Sequence, residues 1–255
     1  MKLFPNGESI AHRKIVKWGI DPTGNRLHVG HLVAIRFLKK MIEEHRDVVV
    51  VIGTRTAMIG DPSGTVKERP VIEEHIVREN ADVLEIQVRK LLPEARIVSN
   101  ERGSIETLLK AIGNFTVAEL LDRAAFQGRG VRTNELLVPV LQAIDSVLIG
   151  AEVEVGGEDQ EFNFSITRDL QKKWGQKPEV CVLFPIIRGT DGQKMSKSLG
   201  NCVFLDDGDL HGKIMSIPDD VMDEWLQLFT DEKPPEHPKA RKEFLAEKII
   251  GLIKP

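Results

Sequence analysis

Two histidines lie where a short apolar run gives way to a helical pattern. His28 and His31 flank Gly30 directly before this helical segment. The free backbone N–H groups of a helix N-terminus attract anions, and imidazoles can donate hydrogen bonds to phosphate oxygens. A glycine between them allows a nucleotide to approach closely. Taken alone, the pair is as compatible with chance as with phosphate binding. A metal would need further ligands, and Cys181 and Cys202 form no Cys-x-x-Cys pair, so we assign no metal ligands.

A basic loop in the second half of the chain is the other candidate. Residues 194–201 (KMSKSLGN) follow an apolar run at 179–187 and a turn at 189–192. On a loop flanked by glycines, Lys194 and Lys197 could close over a triphosphate and neutralise the departing pyrophosphate. An ordinary basic surface loop is the alternative interpretation.

The elements that would position these residues alternate between strands and helices. Short apolar runs predict strands at 14–21, 47–53, 96–98, 151–155 and 179–187. Helical patterns occupy residues 32–42, 71–92, 104–112, 116–125, 133–149, 160–174, 219–229 and 239–253. Such alternation predicts an α/β fold with a parallel sheet, whose ligands bind at the carboxyl ends of the strands. Residues 54–64 are predicted as a loop at one such end, and 127–130 as a break.

Several polar residues near these strand ends have two interpretations each. Asp61 could pair with a substrate ammonium group, although capping a turn is the commoner use of such an aspartate. Gln142 and Asp145 lie on an apolar helix, where they need either an internal hydrogen bond or a ligand. The sequence alone slightly favours the internal bond. Gly157 and Asp159 suit a ribose that lies close to the backbone, but this pattern is weak by itself.

Composition limits the classes of protein that the chain can be. Its 255 residues are 41% hydrophobic and 29% charged, which suits a large α/β domain. The net charge of −4 provides no overall basic field, which weakens a nucleic-acid partner without excluding it. No stretch has the length of a membrane span, and two cysteines indicate a reducing compartment, so we expect a cytoplasmic protein without membrane contact. The chain has no tyrosine.

From about residue 14 to residue 230 the chain resembles class I aminoacyl-tRNA synthetases. The two stretches match their HIGH and KMSKS signatures, and the whole segment is similar to the catalytic domain of bacterial tyrosyl-tRNA synthetases. Further matching stretches lie, in family order, at 19–23, 59–64, 141–146, 156–160 and 215–218. The resemblance implies an α/β fold with a Rossmann-like, doubly wound parallel sheet, a mostly helical insertion and C-terminal helices. It also implies a catalytic domain at 1–206 with the insertion at about 73–132, a helical extension at 207–255, and no S4-like tRNA-binding domain.

The resemblance further implies a function and a set of site residues. ATP and Mg²⁺ would activate an amino acid, tyrosine, to aminoacyl-AMP, and a homodimer would transfer it to tRNA. The catalytic residues would be His28, His31, Lys194, Lys197 and Arg69. ATP would be bound by Gly19, Asp21, Thr23, Gly30, Gly157, Asp159, Met195 and Ser196. The amino acid would be bound by Lys17, Thr56, Asp61, Val138, Gln142, Asp145 and Gln160.

Departures from the family pattern keep other functions open. Val138 and Ile144 stand where the family has tyrosines, which alters the amino acid pocket, and the break at 127–130 is shortened. One alternative is a stand-alone paralogue that passes the aminoacyl group to a non-standard acceptor in an amide ligation. Another is a catalytically silent RNA-binding or regulatory module. The intact histidines and lysines of both signatures argue against silence.

Overall fold

A mixed six-stranded sheet forms the centre of the computed structural model, which describes residues 1–63, 71–122, 126–128 and 130–254. Arg69 lies outside the described residues, as do parts of the segments predicted at 116–125 and 127–130. The strands are β1 (Lys2–Phe4), β2 (Ile15–Ile20), β3 (Asp47–Ile52), β4 (Arg96–Ser99), β5 (Val153–Gly157) and β6 (Val180–Phe184). The described helices are α1 (Val29–Glu43), α2 (Thr54–Ile59), α3 (Glu74–Leu91), α4 (Ile105–Ile112), α5 (Val117–Leu121), α6 (Val138–Ile149), α7 (Glu161–Lys173), α8 (Leu210–Met215), α9 (Asp219–Phe229) and α10 (Pro238–Ile253).

The strand order β1-β6-β5-β2-β3-β4 makes the sheet doubly wound. All neighbouring strands are parallel except β1, which pairs antiparallel with β6. The chain runs outward from β2 through β3 to β4 and then returns to the other side of β2 to form β5. This reversal opens a crevice at the carboxyl ends of β2 and β5, where doubly wound sheets bind their ligands. The predicted Rossmann-like fold is therefore confirmed.

Helices cover both faces of the sheet. On one face α1, α3, α8, α9 and α10 contribute to a large hydrophobic cluster that encloses the wholly buried Trp225. On the other face α6 and α7 pack together around a smaller cluster that includes Ile144 and Leu170. The β3 strand, DVVVVI, is buried along five consecutive residues because both of its faces are covered.

Three short elements differ from the sequence-based prediction. Residues 54–64 were expected to be a loop, but their first part is the helix α2, which ends at Gly60 with a positive φ. The strand β1 and the helix α8, of three and six residues, were not predicted because elements this short show no clear periodicity. The segment predicted as an insertion, at 73–132, contains β4, which belongs to the main sheet, and α3, which packs against the large hydrophobic cluster. The domain bounds thus remain a proposal.

Candidate active site

A cavity of about 680 Å³ opens at the carboxyl ends of β2 and β5. Its volume lies within the range of about 300–1,000 Å³ that is usual for small-ligand sites. Sixteen of the predicted site residues line it: Lys17, Gly19, Asp21, Thr23, His28, His31, Thr56, Asp61, Val138, Gln142, Asp145, Gly157, Asp159, Gln160, Ser196 and Lys197. Gly30, Lys194 and Met195 do not line the cavity, and Arg69 is outside the described residues. The fold therefore brings together residues from both signatures and from four further stretches of the sequence.

The two histidines form a reciprocal cap at the N-terminus of α1. His28 Nδ1 accepts a hydrogen bond from the Gly30 backbone N–H at 3.1 Å, and His31 Nδ1 accepts one from the His28 backbone N–H at 3.0 Å. An imidazole nitrogen that accepts a hydrogen bond carries no proton, so the neutral ring must carry its proton on Nε2. Both rings are thereby fixed as Nε2–H donors.

The surroundings of the rings keep them neutral. Burial lowers the pKa of His28 to about 3, with a further contribution from the nearby Lys197 ammonium group. Burial also holds the pKa of His31 well below its usual range, assisted by His28 and Lys197. The ring centroids lie 3.8 Å apart, a distance at which two charged rings would repel strongly. The pair can therefore donate hydrogen bonds at neutral pH without adding positive charge.

Backbone pairing holds the two signature regions together. Val29 N–H donates to the Val203 carbonyl, and Leu205 N–H donates to the Leu27 carbonyl, both at 2.9 Å. The chain that follows the basic loop at 194–201, called the lysine loop below, is thus fixed beside the histidine cap. As a result, Lys197 lies close enough to both imidazoles to influence their titration, and burial lowers its own pKa.

Asn201 organises the lysine loop from within. Its amide nitrogen donates to Asp191 Oδ1 at 2.8 Å and to the Lys194 carbonyl at 3.0 Å, while its Oδ1 accepts from the Ser196 N–H at 2.8 Å. Lys194 Nζ lies 3.6 Å from Asp159 Oδ2 at the rim of the cavity. The side chain of Met195 is buried in the main hydrophobic cluster and anchors the loop there. The binding of ATP by Met195 stays a prediction.

Asp61 lies in a polar cluster at one side of the cavity. Its Oδ1 accepts hydrogen bonds from the N–H and hydroxyl of Ser63 at 3.0 and 2.8 Å, and its Oδ2 accepts one from Gln160 Nε2 at 2.9 Å. Asn163 Nδ2 donates to Gln160 Oε1 at 2.9 Å and supports this arrangement. Asp61 thus caps a turn and also lines the cavity, and its pairing with a substrate ammonium group stays a prediction.

A buried ion pair underlies the opposite side of the cavity. Lys17 Nζ lies 2.7 Å from Glu154 Oε1, and the two residues are direct partners in the pairing of β2 with β5. Lys17 also donates to Ser146 Oγ at 2.7 Å and to the Gln142 carbonyl at 3.1 Å. All three ammonium protons are therefore engaged. Lys17 lines the cavity, but it can act on a ligand only through its charge.

Glu154 and Ser146 were not among the site residues predicted from the sequence. The pattern of residues 151–155 predicted a strand but not its burial, and Glu154 is completely buried. A signal was nevertheless present, because a glutamate in a central strand needs a buried cation and Lys17 in β2 is such a cation. The expected internal hydrogen bond of Gln142 exists and is long, from Nε2 to Glu154 Oε1 at 3.3 Å.

Two carboxyl groups face the cavity with raised pKa values. Burial raises the pKa of Asp145 to about 7, while the charge of Lys17 opposes the shift. Burial likewise raises the pKa of Asp21 to about 7, although the hydrogen bond that Thr56 donates at 2.6 Å lowers it. Among the described residues, Asp145 has no hydrogen-bond partner. A buried acceptor of this kind calls for a donor from a ligand.

The described residues contain no group of three or more His, Cys, Asp or Glu side chains that could hold a metal ion. These donors therefore do not form a magnesium site by themselves. None of the described helices is long and apolar enough to cross a membrane.

Comparison with known proteins gives consistent matches. The family model described as tRNA synthetases class I (W and Y) matches residues 10–250. A tyrosine–tRNA ligase from Aquifex aeolicus is 43% identical over 242 residues, which cover 89% of this chain and 62% of that protein. One from Trichormus variabilis is 39% identical over 255 residues, covering 92% of this chain and 64% of that protein. The chain thus spans about three fifths of the length of these relatives.

Solved structures of tyrosyl-tRNA synthetases have the same fold. A tyrosyl-tRNA synthetase complexed with L-tyrosine from Archaeoglobus fulgidus has a TM-score of 0.76 at 19% identity, covering 94% of this chain and 88% of that one. A tyrosyl-tRNA synthetase from Aeropyrum pernix has a TM-score of 0.74 at 21% identity, covering 95% of this chain and 84% of that one. At these identities the likeness shows the fold alone.

Proposed function

The chain belongs to the family of class I tRNA synthetases that includes the tryptophan and tyrosine enzymes, and we propose that it activates tyrosine with ATP and transfers the tyrosyl group to tRNA. The observation that carries this proposal is the single cavity in which His28, Lys197 and Asp145 meet. The relatives of the chain reported above are tyrosine–tRNA ligases. This favours tyrosine activation and transfer to tRNA over amide ligation or a catalytically silent RNA-binding or regulatory module.

In the proposed first step, a carboxylate oxygen of tyrosine attacks the α-phosphorus of ATP. A bond forms between them, the bond from the α-phosphorus to the bridging oxygen breaks, and pyrophosphate leaves with that electron pair. Negative charge on the α-phosphate oxygens increases in the transition state. The Nε2–H groups of His28 and His31 would donate hydrogen bonds to these oxygens, since their Nδ1 atoms are already engaged.

The lysine loop would act on the leaving group. Lys197 lies next to the histidines, and Lys194 at the rim would reach the β- and γ-phosphates. Because Asn201 and Met195 hold the loop from within, both ammonium groups stay near the cavity without a bound ligand. Mg²⁺, which the family generally uses, would enter with the triphosphate and neutralise part of its charge.

The remaining residues would hold the two substrates in line. Asp159 at the end of β5 would accept hydrogen bonds from the ribose hydroxyls. Asp61 and Gln160 would face the ammonium group of tyrosine. Asp145, which is buried and has no partner among the described residues, would accept the phenol O–H. Phenylalanine could not donate this bond, and a buried acceptor left unpaired costs about 1–3 kcal/mol.

Amino-acid-dependent exchange of pyrophosphate into ATP tests the activation step over all twenty amino acids. We expect exchange with tyrosine, and a rate about 10²–10³-fold lower in His28→Ala because one transition-state donor is lost. His211→Ala, which alters an exposed histidine on α8, is the matched control and should be unaffected. Exchange with a different amino acid would contradict tyrosine specificity. The absence of exchange with all twenty would contradict the activation step itself.

Transfer to tRNA, dimerisation and a cytoplasmic location complete the proposal. The exposed apolar side chains of Ile105, Leu109 and Val117 on α4 and α5 support an interface with a second copy of the chain. Light scattering should give twice the mass of the chain, and a monomeric mass would contradict a dimer.

Charging of tRNA with labelled tyrosine tests the acceptor, and exchange without charging would indicate that the adenylate serves another acceptor.

A further inference from the structure

The side of the cavity that holds Asp145 is supported by charged residues that do not touch the cavity. Glu154, Ser146 and Glu179 are each completely buried, and none of them lines it. Of this cluster and the residues that it contacts, Lys17, Gln142 and Asp145 line the cavity. The buried residues can therefore influence a ligand only through residues that line the cavity, and Glu154 contacts two of them, Lys17 and Gln142, directly.

Glu154 is tightly connected within this cluster. Its Oε1 accepts from Lys17 Nζ at 2.7 Å, and its Oε2 accepts from the Ser146 hydroxyl at 2.6 Å. Because Ser146 donates to Glu154 while it accepts from Lys17, the three groups form a closed triangle. Burial would raise the pKa of Glu154, but the Lys17 charge and these hydrogen bonds lower it. Glu154 is thus the carboxylate that balances the charge of Lys17.

Glu179 stands behind this pair as a neutral acid. Burial and the nearby Glu154 carboxylate raise the pKa of Glu179 well above its usual range. A protonated Glu179 can donate a hydrogen bond to the Glu154 carboxylate. An ionised Glu179 has no proton to donate, and its buried Oε2 atom would be left without a hydrogen-bond partner among the described residues. Lys17 and Glu154 thus form the ion pair of this cluster, and the Arg168 guanidinium is close enough to Glu179 to oppose the rise of its pKa.

The charge balance between Lys17 and Glu154 matters because both charges affect the ionisation of Asp145. The charged and titratable groups that act on it are Lys17 of β2, Asp21 at the end of β2, Arg55 of α2 and Glu154 of β5. Lys17 and Arg55 favour the ionised carboxylate, whereas Glu154 and Asp21 oppose it. All three N–H groups of the Lys17 ammonium are engaged in other hydrogen bonds, so Lys17 acts on Asp145 only through its positive charge. The size of that effect depends on how much of this charge the Glu154 carboxylate offsets.

We infer that Glu154 is a positioning residue for recognition of the substrate side chain: through Lys17 it sets the charge state of Asp145. It does so without contacting the ligand. This inference deepens the proposed activation of tyrosine and relies on it for the identity of the ligand. The charge balance itself is a property of the free protein and can be measured without any substrate.

Carboxyl ¹³C NMR titration of the free protein tests the charge balance directly, with the Asp145 signal assigned from its loss in Asp145→Asn. In the unaltered chain Asp145 should titrate at about pH 7. In Glu154→Gln, Lys17 is no longer balanced, and the midpoint should fall by about one pH unit or more. Glu179 could ionise in its place, so Glu154→Gln/Glu179→Gln should show at least as large a fall. Glu154→Asp keeps the charge and should keep the midpoint.

Tyrosine binding at two pH values links the balance to recognition. A midpoint that falls from about 7 to about 6 would raise the ionised fraction at pH 6 from roughly 0.1 to roughly 0.5. Glu154→Gln should therefore bind tyrosine about fivefold more tightly than the unaltered chain at pH 6, and about equally at pH 8. An unchanged Asp145 midpoint, with affinity reduced equally at both pH values, would show a merely structural role and overturn the inference.

A charge-neutral variant covers the case in which Glu154→Gln does not fold. Lys17→Met/Glu154→Gln removes both charges of the pair, and the Asp145 midpoint should then be no lower than in the unaltered chain. A lower midpoint would overturn the inference. Failure of the unaltered chain to bind tyrosine at either pH would instead contradict the proposed function, because the NMR titration does not depend on the ligand.

Discussion

Substitution of Gly30 by alanine separates the two roles of the α1 N-terminus. A Cβ at this position would lie 2.9 Å from both Nδ1 and Cε1 of the His28 ring, closer than real Cβ contacts allow. The ring must therefore move, and the hydrogen bond from the Gly30 N–H to His28 Nδ1 is lost or weakened. The change acts on the orientation of a proposed catalytic donor without removing it.

The expected effect on stability is small because two contributions oppose each other. Alanine in place of glycine favours a helix by up to about 1 kcal/mol. Loss of an N-cap hydrogen bond costs about 0.5–2 kcal/mol. Their sum should leave the free energy of unfolding within about 1 kcal/mol of the unaltered value. Catalysis has no such compensation, since a donor displaced by about 1 Å can cost about 10²-fold in rate.

Gly251→Ala is the matched control. Gly251 lies in α10, and a Cβ there would meet nothing within 4 Å. This variant should gain up to about 1 kcal/mol of stability and keep its rate of pyrophosphate exchange. Urea unfolding and exchange kinetics on both variants decide the question. If Gly30→Ala were stabilised and fully active, like Gly251→Ala, the contact between Gly30 and His28 would have no catalytic importance.

Three further predictions concern the same cavity. Both histidines should appear as neutral Nε2–H tautomers in ¹⁵N NMR between pH 5 and 8, because burial holds their pKa values far below that range; protonation of His28 near pH 6.5 would contradict the cap geometry. Asp145→Asn should stabilise the fold at pH 8 by on the order of 1–4 kcal/mol and much less at pH 4. The reason is that the folded pKa, about 7, exceeds the ordinary value of 3.8, so the folded chain loses stability as the pH rises between them; equal gains in thermal melts at both pH values would refute it. Asn201→Ala should lower the kcat of pyrophosphate exchange by about tenfold or more with little change in the KM for tyrosine, because it frees the lysine loop and not the amino acid pocket; a change in the tyrosine KM alone would contradict the assigned role.

The sequence was informative where one segment determines its own structure. His28 and His31 were placed at a strand-to-helix junction because the apolar pattern changes period there, and the structure has that junction. The long helices and the central strands followed for the same reason. Their alternation predicted an α/β fold, and the family resemblance implied the doubly wound sheet whose reversal between β2 and β5 lies beside the cavity.

The sequence was less informative where distant residues decide the outcome. The burial of Glu154 was not predicted, because its partner Lys17 becomes its neighbour only through the parallel pairing of β2 with β5. The packing of Met195 against the main cluster was not predicted either, because it depends on how the loop folds back. Pairing across the sheet and loop conformation are tertiary effects that residue spacing does not encode.

Binding of the non-hydrolysable analogue tyrosyl sulfamoyl adenosine tests the central claim most directly, because it occupies the tyrosine and nucleotide parts of the cavity at once. Calorimetry should show one site per chain and a Kd far below that of tyrosine or adenosine alone, as expected for ligands that resemble a bound intermediate. The phenylalanyl analogue, which lacks only the phenol hydroxyl, should bind at least tenfold more weakly. Equal binding of the two analogues, or affinity no greater than that of tyrosine alone, would contradict a single cavity in which Asp145 and the two signatures act together.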